Sequence, residues 1–277
     1  MSAAEPPQGA TRAPSGGSEA AKPQAWGHTN LLKLDNVSRH FGSLKAVQNV
    51  SFSMSEGELR AVIGPNGAGK TTFFNLVTGF VPPTSGDIWF DDENIRDRTV
   101  VHRVRKGIVR TFQITEVFPD LSVYENVRVG VETAAGLNGR PWLPRSVRND
   151  VAARVDELLA VVGLASKADR VVGELAHGDQ RVVEIALALA MNPRLLLLDE
   201  PTAGMGDTET DHMVDLVRRL HDERNLSILF IEHDMSIVFG IAQRITVLDQ
   251  GRVLAEGSAD EISRNEAVRA AYLGTEA

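Results

Sequence analysis

The sequence predicts an α/β protein whose core is a mostly parallel β-sheet. From residue 31 onward, short apolar runs typical of strands alternate with segments whose apolar residues recur at helical spacing. Four consecutive leucines, at residues 195–198, are typical of a central strand that is buried on both faces. A glycine-rich turn at residues 64–69 stands between a predicted strand and a predicted helix. Together these observations favour repeated strand–helix units.

The same patterns give the order of the elements. We expect strands at residues 31–37, 46–54, 58–63, 87–90, 194–198, 226–231 and 244–248. We expect helices at residues 70–78, 150–162, 180–191 and 207–223. Because the residues from about 115 to 192 are mostly helical in pattern, we predict a helical subdomain there.

The composition excludes several classes of site. Apolar residues make up 43% of the 277 residues and charged residues 24%, which is typical of a globular protein. The absence of cysteine excludes disulfides and thiolate metal sites. A net charge of −8 argues against nucleic acid as a partner. Because no run of about 18 apolar residues occurs, we expect no membrane-spanning helix.

The N-terminal residues 1–28 differ from the rest of the chain. They are rich in Ala, Pro, Gly and Ser and contain few large apolar side chains. Such a segment buries too little surface to offset the entropy lost on ordering, so we expect a disordered tail. It also lacks the pattern of a secretory signal peptide. The remaining residues 29–277 are long enough to form one domain with a full core.

A phosphate-binding loop is the most specific motif, because residues 64–72 match the pattern G-x-x-x-x-G-K-[ST]. Glycines there let backbone N–H groups surround a phosphate, and the following helix points the positive end of its dipole at it. Lys70 supplies a positive charge for the β- and γ-phosphates, and the Thr71 hydroxyl is a ligand for Mg²⁺. The loop therefore predicts a nucleoside triphosphate site. Its contact residues are Gly64, Pro65, Asn66, Gly67, Ala68, Gly69, Lys70, Thr71 and Thr72.

Two carboxylates follow the leucine run. Ligands bind beyond the carboxyl ends of parallel strands, which places Asp199 beside the Mg²⁺. Glu200 is then placed to orient and polarise the attacking water. Taken alone, the pattern is also that of a strand ending in solvated acids. The phosphate loop upstream favours the catalytic interpretation.

In the order of these motifs, the chain resembles the nucleotide-binding subunits of ABC transporters from about residue 31 to its end. The resemblance implies a P-loop NTPase cassette with a parallel sheet, an antiparallel β part and a helical subdomain. Phe41, 23 residues before Gly64, matches the aromatic residue that stacks on adenine. Gln113 matches the glutamine that approaches Mg²⁺ and communicates with the membrane partner. His233 matches the switch histidine that contacts the γ-phosphate, so Glu200, His233 and Gln113 are the implied catalytic residues.

The signature motif of this family, usually Leu-Ser-Gly-Gly-Gln, occurs in altered form at residues 175–179. Ala176 lacks the serine hydroxyl that, by the resemblance, touches the γ-phosphate. Gly178 is retained, and His177 is a candidate substitute for the hydroxyl. In the loop before Asp207, glycine stands where an aspartate is common. Because the signature faces the phosphate loop of another subunit, the resemblance implies a homo- or heterodimer with two nucleotides between the subunits.

Four segments resemble the ATPases of branched-chain amino-acid importers more closely than ABC proteins at large: residues 103–127, 199–210, 230–235 and 268–274. This implies ATP hydrolysis that powers import of branched-chain or other hydrophobic amino acids. The implied partners are integral membrane permeases and, indirectly, a substrate-binding protein. The implied location is the cytoplasmic face of the inner membrane, as a peripheral subunit.

Other functions remain open at this stage. Urea and short-amide importers share much of the same pattern, and lipopolysaccharide exporters share some of it. A soluble ABC ATPase that acts on nucleic acid or ribosomes is disfavoured by the single cassette and the acidic charge. A P-loop kinase is disfavoured because Glu200 and His233 indicate hydrolysis.

Overall fold

The computed structural model describes Met1 and residues 30–111, 117–137 and 142–273. Apart from Met1, the predicted tail therefore lies outside the described residues. In the described ranges no helix combines the length and the apolar character needed to cross a bilayer. The strands form two sheets, one antiparallel and one mostly parallel.

The antiparallel sheet has four strands in the spatial order β2-β1-β4-β5. They are β1 (Asn30–Phe41), β2 (Leu44–Ser55), β4 (Ser85–Phe90) and β5 (Glu93–Asn94). β1 and β2 are longer than the sequence predicted, because most of the residues beyond the predicted bounds are partly or fully exposed and form no apolar run.

The mostly parallel sheet has six strands in the order β10-β9-β3-β8-β7-β6. They are β3 (Leu59–Ile63), β6 (Ile108–Arg110), β7 (Leu195–Asp199), β8 (Ser227–Ile231), β9 (Arg244–Asp249) and β10 (Arg252–Gly257). β10 is the antiparallel edge strand. β3, which leads into the phosphate loop, pairs with β8 on one side and β9 on the other. The loop therefore begins inside the sheet, where β3 is fixed from both sides.

The helices of the described ranges surround this sheet. They are α1 (Lys70–Thr78), α2 (Val100–Arg105), α3 (Val123–Ala134), α4 (Arg145–Val162), α5 (His177–Ala190), α6 (Asp207–Arg224), α7 (Met235–Ile241), α8 (Ala259–Ser263) and α9 (Glu266–Leu273). The part of the chain predicted to be a helical subdomain contains α3, α4 and α5, and α3 contacts both of the others.

The sequence patterns did not predict α3, because several of its residues have low helix propensity and the helix depends on packing against α5. The helix contains several β-branched residues and Gly130, which lower intrinsic helix propensity. Ser122 and Glu125 form a capping box that fixes its N-terminus. Gly130 lies so close to α5 that a Cβ there would come within 3.1 Å of Ala190 Cβ. Close helix packing therefore outweighs the propensity.

Successive leucines of β7 point to opposite faces of the sheet and therefore belong to two different apolar clusters. Leu196 and Leu198 belong to the apolar cluster that includes α3, α4 and α5. Leu195 and Leu197 belong to the cluster between the two sheets, which also contains the phenylalanines of α1. All four side chains have no measurable exposure. The central strand is therefore buried on both faces, as the leucine run predicted.

A buried arginine ties the phosphate-loop helix to the antiparallel sheet. Arg103 is 1% exposed. One guanidinium nitrogen donates to the carbonyls of Leu76 and Val77 at the end of α1, at 2.6 and 2.7 Å. The other donates to the carbonyls of Ile95 and Arg96 beyond β5, at 2.7 and 3.0 Å. Burial lowers the pKa of Arg103 to about 10. The cation satisfies the orphan carbonyls at the C-terminus of α1.

Candidate functional site

The turn between β3 and α1 has a backbone that only glycine accommodates. Gly64, Gly67 and Gly69 have φ values of 151°, 80° and 101°. A Cβ on Gly64 would lie 2.1 Å from the carbonyl oxygen of Leu248, and one on Gly69 would lie 2.4 Å from that of Ala46. Steric contact and left-handed backbone thus explain the glycine spacing that the sequence analysis identified.

Lys70 begins α1 and is 8% exposed. Its ammonium group donates to the carbonyl oxygens of Gly64 and Pro65 at 2.6 and 3.2 Å. Burial lowers the pKa of Lys70, and the charges of Glu200 and Asp199 act in the opposite direction. The cation therefore lies between the phosphate loop and the two carboxylates at the end of β7.

Glu200 follows β7 in a left-handed backbone conformation, with φ of 49°. Its amide donates to the carbonyl of Ile231, the last residue of β8, at 3.0 Å. Its Oε1 lies 2.8 Å from Nε2 of His233. The side chains of Glu200 and His233 are 22% and 49% exposed. A non-glycine residue held in this backbone region often marks a functional site.

The phosphate loop, Glu200 and His233 line one cleft of about 670 Å³. The other described residues that line it come from the β1–β2 turn, the start of β2 and the β9–β10 turn. The lining residues are Ser43, Leu44, Lys45, Ala46, Gln48, Asn66, Gly67, Ala68, Gly69, Lys70, Thr71, Thr72, Glu200, His233 and Gln250. The structure therefore brings together motifs that lie far apart in the chain.

Asp199 lies behind this cleft in a buried ion pair that the sequence analysis missed. Its Oδ2 accepts a hydrogen bond of 2.5 Å from Arg110, and the two side chains are 4% and 6% exposed. Arg110 also donates to Oδ1 of Asn75 on α1 at 2.6 Å. The only sequence signal is a charged residue in the short strand β6, and nothing local connects it with a residue 89 positions away.

Glu232 is a second buried carboxylate that the sequence analysis passed over. It follows β8 and is 5% exposed. Its Oε1 accepts from the backbone N–H and the hydroxyl of Thr202 at 3.0 and 2.6 Å. Its Oε2 accepts from the backbone N–H of His233 at 3.2 Å. The signal was present, because an apolar run that ends in an acid is the same pattern that identified Glu200.

The altered signature forms the start of α5, which begins three residues earlier than predicted. Ala176 is the N-cap residue and makes no side-chain capping bond. The ring of His177 lies about 3.7 Å from where a Cβ on Gly204 would be. Gly178 packs against Glu209 so closely that a Cβ would come within 3.0 Å of its carboxylate. None of these signature residues is among the described residues that line the cleft of the same chain.

Two further predicted site residues, Phe41 and Gln113, are not among the described residues that line the cleft. Phe41, at the end of β1, is 44% exposed, and the guanidinium carbon of Arg39 lies 4.4 Å from its ring centroid. Phe41 is not among the described cleft residues, although Ser43 and Leu44 after it are. Gln113 lies outside the described residues.

Comparison with known proteins identifies the class. The sequence model of the family described as "ABC transporter" matches residues 47–203, more than half of the chain. A second model, "Branched-chain amino acid ATP-binding cassette transporter", matches residues 252–277. The chain belongs to the ATP-binding subunits of ABC transporters, which bind and hydrolyse ATP.

Among its relatives is the high-affinity branched-chain amino acid transport ATP-binding protein LivG of Salmonella typhimurium, 41% identical over 88% of this chain and 98% of the relative. The protein BraF of Pseudomonas aeruginosa, with the same description, is 40% identical over the same shares. A probable LivG of Methanocaldococcus jannaschii is 32% identical over 85% of this chain and 92% of its own length.

Solved structures agree with this assignment. The ADP conformation of an ATP-binding cassette of an ABC transporter superposes with a TM-score of 0.78 at 28% identity, over 88% of this chain and 99% of that one. A dimeric, post-hydrolysis cassette bound to ADP and phosphate superposes with a TM-score of 0.69 at 27% identity, over 82% of this chain and 98% of that one. The predicted fold class, a P-loop NTPase cassette, is confirmed.

Proposed function

We propose that this chain is the ATP-hydrolysing subunit of an importer for branched-chain or other hydrophobic amino acids. The observation that carries the catalytic part is the cleft in which the phosphate loop faces Glu200 and its partner His233. The substrate class rests on the names of the relatives and on the match of the C-terminal residues 252–277 to a branched-chain family model.

In this proposal each cleft residue has a distinct role. The backbone of residues 64–69 and the cation of Lys70 bind the phosphates. Glu200 orients the attacking water and polarises it. His233, 2.8 Å away, holds that carboxylate and contacts the γ-phosphate. Gln113 approaches the metal and signals to the membrane partner, and Phe41 stacks on the adenine.

The residues present fit Mg²⁺ as the accompanying ion. Thr71 lines the cleft and Asp199 lies behind it, and both carry oxygen atoms, which this hard cation prefers. Gln113 would add an amide oxygen. The described residues contain no cluster of three or more His, Cys, Asp or Glu able to hold a metal. An ion held there by one or two protein oxygens would take its other ligands from phosphate and water, as Mg²⁺ commonly does. The ion would neutralise charge on the phosphates.

The signature residues serve a second ATPase subunit in this proposal. Ala176, His177 and Gly178 stand at the N-terminus of α5, and none of them lines the cleft of its own chain. A helix N-terminus attracts phosphate through its free N–H groups and dipole. A related cassette has been solved as a dimer with ADP and phosphate. We therefore place this helix start opposite the phosphate loop of a partner subunit.

The subunit would act at the cytoplasmic face of the inner membrane, bound to permease subunits and served indirectly by a substrate-binding protein. Uptake of labelled leucine, valine and isoleucine in cells lacking this chain tests the proposal. The wild-type chain should restore uptake, Glu200→Gln should not, and the exposed control Glu223→Gln should.

Purification of the tagged chain from solubilised membranes tests the partners. Two permease subunits in the complex would support import. Restoration of urea or short-amide uptake alone would assign the chain to that alternative, and a complex involved in lipopolysaccharide export would replace import altogether. Association with ribosomes or DNA would overturn the transport function.

A further inference from the structure

Glu232 is a buried carboxylate whose partners are all neutral. It is 5% exposed, and in the part of the chain that the structure describes no cation lies within ion-pair distance of it. Its hydrogen-bond donors are two groups of Thr202 and the backbone N–H of His233. A buried charge is costly unless it is satisfied in this way. The buried carboxylate of Glu232 therefore depends on the donors of Thr202 and His233.

The two oxygens of this carboxylate hold two different segments. Oε1 fixes Thr202 by both its N–H and its hydroxyl, at 3.0 and 2.6 Å. Oε2 fixes the backbone of His233 at 3.2 Å. Pro201 has no N–H, so Thr202 carries the first backbone donor of the loop that follows Glu200. One side chain thus joins the loop after β7 to the backbone of its own neighbour, His233.

These contacts close a ring around the catalytic pair. Glu200 bonds to His233 through its side chain, His233 to Glu232 through its backbone, and Glu232 to Thr202. Thr202 returns to Glu200 through two peptide bonds. The same loop reaches Gly204, beside the ring of His177 at the start of α5. The loop and Glu232 thus form a continuous series of contacts between the start of α5 and His233.

We propose that Glu232 is a positioning residue for ATP hydrolysis: its carboxylate holds residues 201–206 and His233 in register with Glu200. The inference rests on the proposed catalytic roles of Glu200 and His233. Glu232 does not line the cleft among the described residues, so it acts through its neighbours and leaves ATP binding to the phosphate loop.

Glu232→Gln tests this most directly, because it keeps the shape and removes one acceptor. A glutamine presents one oxygen and one NH₂ group, so one of the two segments faces a donor where it needs an acceptor. We expect kcat of the full-length protein to fall by about 10- to 150-fold, the range for a lost hydrogen bond to a charged group. We expect the ATP dissociation constant to stay within about twofold, since the phosphate contacts are untouched.

Thr202 supplies a matched pair that does not depend on how well Glu232→Gln folds. Thr202→Val removes the hydroxyl bond to Oε1 and should lower kcat, whereas Thr202→Ser should recover most of the loss. The double variant Thr202→Val, Glu232→Gln should be no slower than Glu232→Gln alone, because both changes break the same contact. In histidine-labelled protein, the His233 ring signals should shift in Glu232→Gln and not in Glu223→Gln.

The possible results separate this inference from the proposed function. If Glu200→Gln abolishes turnover while a folded Glu232→Gln keeps kcat within twofold, positioning by Glu232 is wrong and the catalytic assignment stands. Lowered melting temperature with unchanged kcat, or equal kcat in Thr202→Val and Thr202→Ser, also contradicts positioning. If Glu200→Gln itself turns over normally, the catalytic assignment fails first.

Discussion

The ends of β7 and β8 are alike in sequence and different in structure. Each strand is mostly apolar and is followed by a glutamate, although β7 ends in Asp199 and β8 in Ile231. The two strands pair in parallel with Asp199 beside Ile231. Glu200 and Glu232 therefore occupy equivalent places after neighbouring strands. Glu200 lines the cleft, partly exposed, whereas Glu232 is buried and holds a loop.

The backbone after each strand accounts for the difference. Glu200 has a φ of 49°, which turns the chain at once and leaves its carboxylate in reach of His233. Glu232 is not among the residues with positive φ, and its side chain meets Thr202 behind the cleft. In our proposals, two identical side chains at matched positions thus take a catalytic and a positioning role. The role of each glutamate depends on the residue that its carboxylate contacts, His233 for Glu200 and Thr202 for Glu232.

The largest effect on turnover is expected for Glu200→Gln. The amide keeps the size of the side chain but cannot accept a proton from water, so kcat should fall by about 10²- to 10⁴-fold. ATP binding should persist, and the variant should accumulate as an ATP-bound dimer. Phosphate release and light scattering measure the two effects. Near-normal turnover would remove Glu200 from the catalytic role, and Glu223→Gln is the exposed control.

The largest effect on stability is expected from breaking the buried ion pair between Arg110 and Asp199 at the end of β7. Among the described residues, Asp199 pairs with Arg110, whereas no cation lies within ion-pair distance of Glu232. Arg110→Met leaves the buried Asp199 without this partner, so it should destabilise the fold by about 3–5 kcal/mol. Urea unfolding measures this change. The double variant Arg110→Met, Asp199→Asn should recover much of the stability, because no buried charge is left uncompensated. Purely additive losses would show that the ion pair is not the cause.

Lys70 is the cation of the phosphate loop, so its removal is expected to weaken ATP binding. Burial lowers the pKa of Lys70, and the charges of Glu200 and Asp199 act against that shift. Lys70→Ala should raise the ATP dissociation constant by about 10- to 150-fold, the equivalent of one charged hydrogen bond. Titration with a fluorescent ATP analogue measures it. An unchanged dissociation constant would contradict the role of the loop, and the melting temperature controls for misfolding.

The smallest effect is expected at the altered signature. If His177 substitutes for the missing serine hydroxyl, His177→Ala should lower kcat by roughly 2- to 10-fold, as for one neutral hydrogen bond. Steady-state hydrolysis by the dimer measures it. An intact rate would mean that the backbone at the start of α5 suffices without that ring.

Local patterns predicted the parts of the site that are local. The phosphate loop and the leucine strand with Asp199 and Glu200 need only a few adjacent residues, and their geometry follows from glycine backbone freedom and burial on two faces. His233 was found through family resemblance, since a single histidine after a strand has no pattern of its own.

The contacts between distant segments were not predictable in this way. The Arg110–Asp199 pair spans 89 positions, and Thr202 and Glu232 are 30 apart. Helix α3 depends on packing against α5 at Gly130, which propensity cannot reveal. Phe41 is close in sequence to the cleft residues Ser43 and Leu44, yet it is not itself among the described cleft residues. Its contact with adenine therefore stays a prediction.

Arg103 has a mechanical consequence for the whole cassette. Its guanidinium joins the end of α1 to the backbone beyond β5, while the start of α1 holds Lys70 and the phosphate loop. α1 is therefore joined at its C-terminus to the backbone beyond β5, while its N-terminus continues from the phosphate loop. A rotation of the antiparallel sheet would therefore be passed through the four hydrogen bonds of Arg103 to the helix that follows the phosphate loop.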